Sequence, residues 1–235
     1  MIQIRRSEER GHVDHGWLDS FHTFSFAGYS DPRFMGFSEL RVLNQDRVAA
    51  GRGFGTHGHQ DMEIVSYVLD GVLEHKDSMG MGSSMRAGEV QLMSAGRGLT
   101  HSEFNGSADV PLHFLQMWIL PAERGTEPRY EQAIYPEADR RGKLRLIVSP
   151  DGARGSLRIL QEARMYAGLL DGAERIAHRL PRGRDGWLHV ARGGLTLNGE
   201  RLGPGDGAAL IGEPELTLSA GDGAEFVFWD LPPHG

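Results

Sequence analysis

Tyr67-Val68-Leu69-Asp70-Gly71-Val72-Leu73-Glu74 is an apolar run that turns a corner at Asp-Gly and continues. After a turn comes Ala87-Gly88-Glu89-Val90-Gln91-Leu92-Met93, then Ala95-Gly96. The phrase returns later as His189-Val190-Ala191-Arg192-Gly193-Gly194-Leu195-Thr196-Leu197, an Asn198-Gly199 turn, Pro204-Gly205-Asp206-Gly207-Ala208-Ala209-Leu210, then Ile211-Gly212. Both copies read strand, Gly corner, strand, turn, Gly-acid, strand, Gly. Asn-Gly is the strongest short hairpin signal, because both positions tolerate positive φ. The shared order predicts a duplicated β-barrel unit.

The rest of the chain agrees with this reading. Phe37 to Leu43, Met62 to Leu69, Leu112 to Leu120, Leu144 to Val148 and Glu225 to Trp229 are short apolar runs bounded by Gly, Pro or Asp. Glycine makes up 33 of 235 residues, about 14% against a usual ~7%, without a collagen period, which suits many tight turns. The class is all-β, a sandwich or barrel. A turn or two of helix is expected near Arg129 to Ile134. Pro121 to Gly142 carries three prolines and many charges, and reads as a solvated surface connection between two halves, 1–135 and 136–235.

Charge and composition exclude several functions. Lys plus Arg total 25 against 32 Asp plus Glu, a net charge of −7, which argues against a general nucleic-acid binder. With no Cys there is no disulfide, thiolate metal site or Cys nucleophile, so any metal must sit on His, Asp or Glu. The start lacks the apolar core of a signal peptide, and no apolar run approaches the ~18 residues of a membrane helix. A cytoplasmic globular protein is expected, without direct nucleic-acid or membrane contact, and as a monomer.

The chemistry concentrates in two places. The first is Gly55-Thr56-His57-Gly58-His59-Gln60-Asp61-Met62-Glu63. Residues two apart on a strand share a face, ~6.6 Å apart, so His57 and His59 can aim at one point. The second is Gly98-Leu99-Thr100-His101-Ser102-Glu103-Phe104-Asn105, where His101 and Glu103 repeat the spacing. If the two strands are neighbours in a barrel, three imidazoles and one carboxylate converge. Such a set leaves open positions on a divalent ion, as redox or Lewis-acid catalysis requires.

These residues resemble the two cupin motifs. Gly51, His57, His59, Glu63 and Gly71 match the first, with one extra residue before Gly71. Gly88, Ser94-Ala95-Gly96, His101 and Asn105 match the second, with Ser in place of Pro and two extra residues before His101. Within cupins the chain is similar to the pirins over nearly its whole length. The phrases that carry this are His22-Thr23-Phe24-Ser25-Phe26, Gly36-Phe37 through Leu40-Arg41-Val42-Leu43-Asn44, Gly53-Phe54-Gly55-Thr56-His57-Gly58-His59, and Ser94-Ala95-Gly96 through His101-Ser102-Glu103.

The resemblance implies a bicupin, two antiparallel jelly-roll barrels packed face to face, with metal in the N-terminal barrel only. The implied ligands are His57, His59, His101 and Glu103, and Glu103 is also the implied catalytic base. By parity alone Glu63 could also face inward; the resemblance decides for Glu103. The implied cofactor is one divalent transition ion, iron foremost, with Mn, Co, Ni, Cu or Zn as alternatives. The implied activity is that of bacterial pirin-like quercetinases: opening the flavonol ring of quercetin, or of another flat aromatic, with dioxygen and release of carbon monoxide. The alternative is a redox-sensing regulator that binds a protein partner without significant catalysis. A TIM-barrel metallohydrolase would need eight regular helices, which the chain does not offer.

Other residues receive plainer readings. His12, His15 and His22 are expected to be hydrogen-bonding residues of a folded arm, His75 and His113 exposed or packed strand residues, and His178 a lone imidazole in a C-terminal barrel whose role is packing. Phe24, Phe26, Phe37, Phe54, Met93 and Met117 are expected in the core, some of them walling a pocket above the metal. Trp17, Trp118, Trp187 and Trp229 are assigned to the core, and Arg52 and Arg97 to the surface.

Overall fold

Short strands that bury both faces need a partner sheet on each side, and the chain supplies three sheets. The structure, a computed structural model, describes residues 1–234. In the first half a seven-stranded sheet runs in the order Arg129–Ile134, Glu89–Ser94, Glu63–Asp70, Leu112–Ile119, Leu40–Val48, Leu18–His22, Gly11–Asp14. Facing it is a four-stranded sheet ordered Gly53–His59, Leu99–Asn105, Val72–Asp77, Gly82–Arg86. The second half is built on a nine-stranded sheet whose long members are Asp185–Leu197 and Glu215–Leu231. The helical content is one short helix, Glu137–Arg140, and two 3-10 turns among the described residues. The architecture is the expected all-β bicupin.

Period-two alternation places the cores. On Glu215–Leu231, Phe226 and Phe228 point into the second barrel while Val227 and Trp229 join the seam between the halves. Tyr67, Leu69, Leu115 and Met117 meet Ile147, Met165, Trp187 and Trp229 across that seam. A buried polar cluster crosses it too: Tyr67 Oη donates to Glu225 Oε1 at 2.6 Å, and Arg140 Nη1 donates to the same oxygen at 2.8 Å. The hairpin at Asn198-Gly199 has φ of 46° and 95°, the two left-handed positions such a turn requires.

The interior of the first barrel is layered. Leu18, Val48, Val68, Leu73, Met85 and Phe114 fill one end, and Ile64, Met93, Ala95 and Leu99 the other. Between them each inner strand face carries a polar residue: Ser66 lies between Ile64 and Val68, and Gln116 between Phe114 and Trp118. Gln91, His75, His101 and Glu103 complete this buried belt.

Two local expectations are corrected. Arg129–Ile134 is a strand, not a helix; it completes the edge of the sheet by pairing with Glu89–Ser94. Six residues cannot sustain an isolated helix, whereas the open edge offers a ready ladder of partners. The segment from Pro121 to Gly142 is therefore more than a surface connection: Tyr135 and Arg140 are buried in the seam. The opening strand, Ile2–Arg5, pairs with Gly207–Leu210 and so adds to the sheet of the second half.

Candidate metal centre

Gly53–His59 and Leu99–Asn105 are antiparallel neighbours, with His57 opposite His101 and His59 opposite Leu99. Cross-strand partners share a face, so all three imidazoles turn inward. Beyond His101 the register slips, and Glu103 pairs with Phe54. Gly55 and Thr56 thus stand against the single residue Ser102, a β-bulge that re-aims the flanking side chains. Gly53 permits this close approach, since a Cβ there would lie 2.3 Å from the Glu103 carbonyl oxygen.

The donor atoms of His57, His59 and His101 lie within 4.8 Å of one another. His57 Nδ1 points to the Gly55 carbonyl at 2.8 Å. A carbonyl only accepts, so Nδ1 carries the proton and Nε2 presents a bare lone pair. That Nε2 is 3.1 Å from His101 Nε2. Two nitrogens bound at about 2.1 Å to one ion, about 90° apart, would sit about 3.0 Å from each other. The separation thus fits a shared divalent cation. Burial lowers His59 to about 4 and His101 to about 3, with the neighbouring imidazoles adding to the effect. Both rings are neutral near pH 7, the form that binds a metal.

Glu103 is fully buried on the same inner face. Its Oε1 accepts from Gln91 Nε2 at 2.7 Å and from Ser66 Oγ at 3.2 Å, and its Oε2 accepts from Gln116 Nε2 at 2.6 Å. Burial pushes its carboxyl above the usual range. Its donor atom clusters with His101 and His75 rather than with His57 and His59. Of the four residues singled out in the sequence, three come together directly and the fourth stands beside them, sharing His101. Glu63 faces the other way, into the seam, where it accepts from Ser94 Oγ at 2.9 Å and from the Leu160 amide at 3.1 Å. The parity argument fails for it because Asp61, at φ 49°, resets the strand phase and sends Glu63 into the other sheet.

A family model described as "Pirin" matches residues 3–119, and one described as "Quercetinase C-terminal cupin domain" matches residues 146–231. The chain is 48% identical over 233 residues to a protein of Escherichia coli (strain K12) named quercetin 2,3-dioxygenase, spanning 99% of this chain and 100% of that one. The chain belongs to the pirin family. A protein of Caulobacter vibrioides named pirin-like protein is 39% identical over 232 residues, covering 98% of this pirin and 99% of its relative. The crystal structure of YhhW from Escherichia coli superposes with a TM-score of 0.95 at 47% identity over 100% of both chains. A structure of YhhW in complex with nickel(II) gives 0.94 at 47% identity over 99% of this pirin and 100% of that chain.

Several residues of this pirin's centre had no sequence signal of their own. His75 is fully buried, stacks on Tyr130 at 4.8 Å, and has its Nε2 3.2 Å from Asp77. Asp46 is fully buried, accepts from Ser20 Oγ at 2.5 Å, and is raised to about 7 chiefly by that burial. The alternations Leu73-His75-Asp77 and Asn44-Asp46-Val48 would have placed both inward, had the burial of their strands been known. Trp118 is half-buried rather than core; its ring meets His59 at 4.9 Å and Phe26 at 5.3 Å, and its Nε1 has no partner. Phe26 thus approaches the centre only by way of Trp118. Phe54 packs with Trp17 instead, and Phe24 and Phe37 pack against Trp187.

In the second half, His178 sits between Tyr166 and Phe228, at 5.0 and 5.8 Å, in an interior of Leu and Phe side chains. Among the described residues, neither metal-capable cluster lies in that half.

Proposed function

We propose that this pirin is a metal-dependent dioxygenase of the quercetinase type, opening a flavonol ring with dioxygen and releasing carbon monoxide. The observation that carries the reading is the triad of His57, His59 and His101, beside a buried carboxylate, in a chain alike over its full length to a relative named quercetin 2,3-dioxygenase. His57, His59 and His101 would hold one divalent ion, with Glu103 as the fourth ligand. When bound, that ion supplies Lewis acidity toward a hydroxyl and open coordination positions. The N-terminal barrel is the metal domain in this reading, and the C-terminal barrel supports it by packing.

The chain's own residues supply the rest. Glu103 takes the proton of the flavonol 3-hydroxyl on a carboxylate oxygen. Its raised pKa suits a base that must later return the proton. Gln91 and Gln116 hold that carboxylate in place, one on each oxygen. Trp118 stands beside His59 with Phe26 packed against it, an apolar aromatic surface on which a flat ring system would stack. The half-buried His57 and His59 form the accessible side of the cluster, while the buried His101 and Glu103 form its floor.

The test is direct. Protein reconstituted separately with Fe, Mn, Co, Ni and Cu is assayed for loss of quercetin's visible band and for carbon monoxide. Turnover with at least one metal is expected. Glu103→Gln should retain metal and lose turnover. Absence of turnover with every metal, in protein that binds them stoichiometrically, would overturn the reading.

A further inference from the structure

A second pocket lies where the two halves meet, and none of its lining residues belongs to the metal centre. Its walls are Phe24, Phe34 and Phe37 from the first half, with Trp187 and Ala209 from the second, and the strand Ile2–Arg5 closes one side. Its volume is about 220 Å³. Sites for drug-sized ligands run ~300–1,000 Å³, so this one suits a single ring with a small substituent.

Two donor atoms in this apolar space lack acceptors. The Arg5 side chain is only 1% exposed; its guanidinium lies 3.5 Å over the Phe34 ring and donates from Nη2 to Tyr29 Oη at 2.8 Å. Its Nε has no acceptor. The nearest carboxylate oxygen, on Asp31, is 4.0 Å away and is engaged by Arg33 at 2.8 Å. Trp187 is 3% exposed, and its Nε1 also lacks an acceptor. The two donors share one face of the sheet. Arg5 pairs with Gly207, and a Cβ on Gly207 would lie 3.4 Å from Trp187 Nε1. Buried donors normally find acceptors, and a buried cation normally finds an anion. Arg33 and His234 stand at the rim, so Arg5 and Arg33 together outnumber Asp31 in charge.

We propose that this pocket binds a small aromatic carboxylate, its ring between the Phe and Trp walls and its carboxylate accepting from Arg5. Flat apolar walls select the ring, and the partly paired guanidinium selects the anion. The assignment is independent of the dioxygenase reading, because it shares no residue with the metal centre.

Benzoate is the probe, titrated into zinc-loaded protein and followed by the four indole Nε1–H resonances. Trp187→Phe assigns the relevant peak. Benzoate should move the Trp187 resonance saturably, and Trp118, beside His59, should stay still. Benzyl alcohol, with the same ring and no charge, should bind more weakly. Arg5→Gln should weaken benzoate at least about tenfold, as loss of one charge-assisted hydrogen bond implies, with metal content unchanged. Should Arg5→Gln fail to fold, Ala209→Leu, which fills the pocket from its floor, should abolish the shift. No movement of any indole in the folded wild type, movement of Trp118 alone, or equal affinity for benzyl alcohol would each overturn the proposal.

Discussion

The two barrels share a strand plan and fill their interiors differently. In the second, Leu188, Val190, Leu195, Leu197, Phe226 and Phe228 make one continuous apolar core. In the first, two apolar clusters are separated by a belt of Ser66, Gln91, Gln116, His75, His101 and Glu103. Burying polar groups is costly unless each finds a partner. The belt meets that condition largely within itself, since the carboxylate oxygens of Glu103 receive hydrogen bonds from three side chains of three different strands. A barrel filled with Leu and Phe can only pack, whereas one holding a satisfied polar layer can also hold an ion.

Substitutions on the two sides of this contrast should act on different observables. The largest effect belongs to His101→Ala, which removes the residue common to both donor clusters. Bound metal should fall from stoichiometric to trace, with the far-ultraviolet spectrum unchanged; retained stoichiometric metal would break the contrast. In the other barrel, Phe228→Ala should cost about 3–5 kcal/mol of stability by denaturant titration and leave metal content untouched. Its ring packs so closely on Gly186 that a Cβ there would come within 2.6 Å of it.

Smaller effects sharpen the picture. Gln116→Leu removes the donor to Glu103 Oε2, and residues that orient a ligand typically carry about 10–100-fold in affinity or activity. Metal titration and turnover assays would measure that loss. Asp46→Asn tests, through pH, a buried carboxyl of the first barrel that lies next to the belt, opposite Phe114. The folded carboxyl is raised to about 7, above its unfolded value near 3.9, so the folded state holds the proton longer. Its stabilising contribution is full below the unfolded value and is lost as pH rises through about 7. The variant should therefore gain more stability relative to wild type at pH 8 than at pH 5. Equal differences in melting temperature at the two pH values would show that Asp46 titrates normally.

Much of the centre was legible because its signals are local. His57 and His59 share a face by strand geometry alone, and so do His101 and Glu103. Glu63 was misleading for a local reason too: parity does not survive the turn at Asp61, whose φ of 49° separates two sheets. Arg129–Ile134 is not legible as a strand from its own residues, because a strand at a sheet edge owes its form to the neighbour it pairs with, here Glu89–Ser94. Gln91, Gln116, Ser66, His75 and Asp46 carried no signal, since alternation names a face but not a height within the barrel. Only the registers of neighbouring strands bring Gln116, Ser66 and Gln91 to one level and set His75 opposite Glu103, while Asp46 falls one layer away, opposite Phe114.

The sequence by itself determined that this chain is two strand-rich halves, that Asn198-Gly199 is a hairpin, and that His-x-His and His-x-Glu are presented in pairs. Each of these depends on residues a few positions apart, whose geometry the backbone dictates. Tertiary structure decided the rest. It set the bulge that separates Glu103 from the histidine triad, sent Ile2–Arg5 to the far sheet, and placed Arg5 and Trp187 side by side. The reason is physical: sheet closure and register join residues distant in the chain, and no local period encodes which of them will meet.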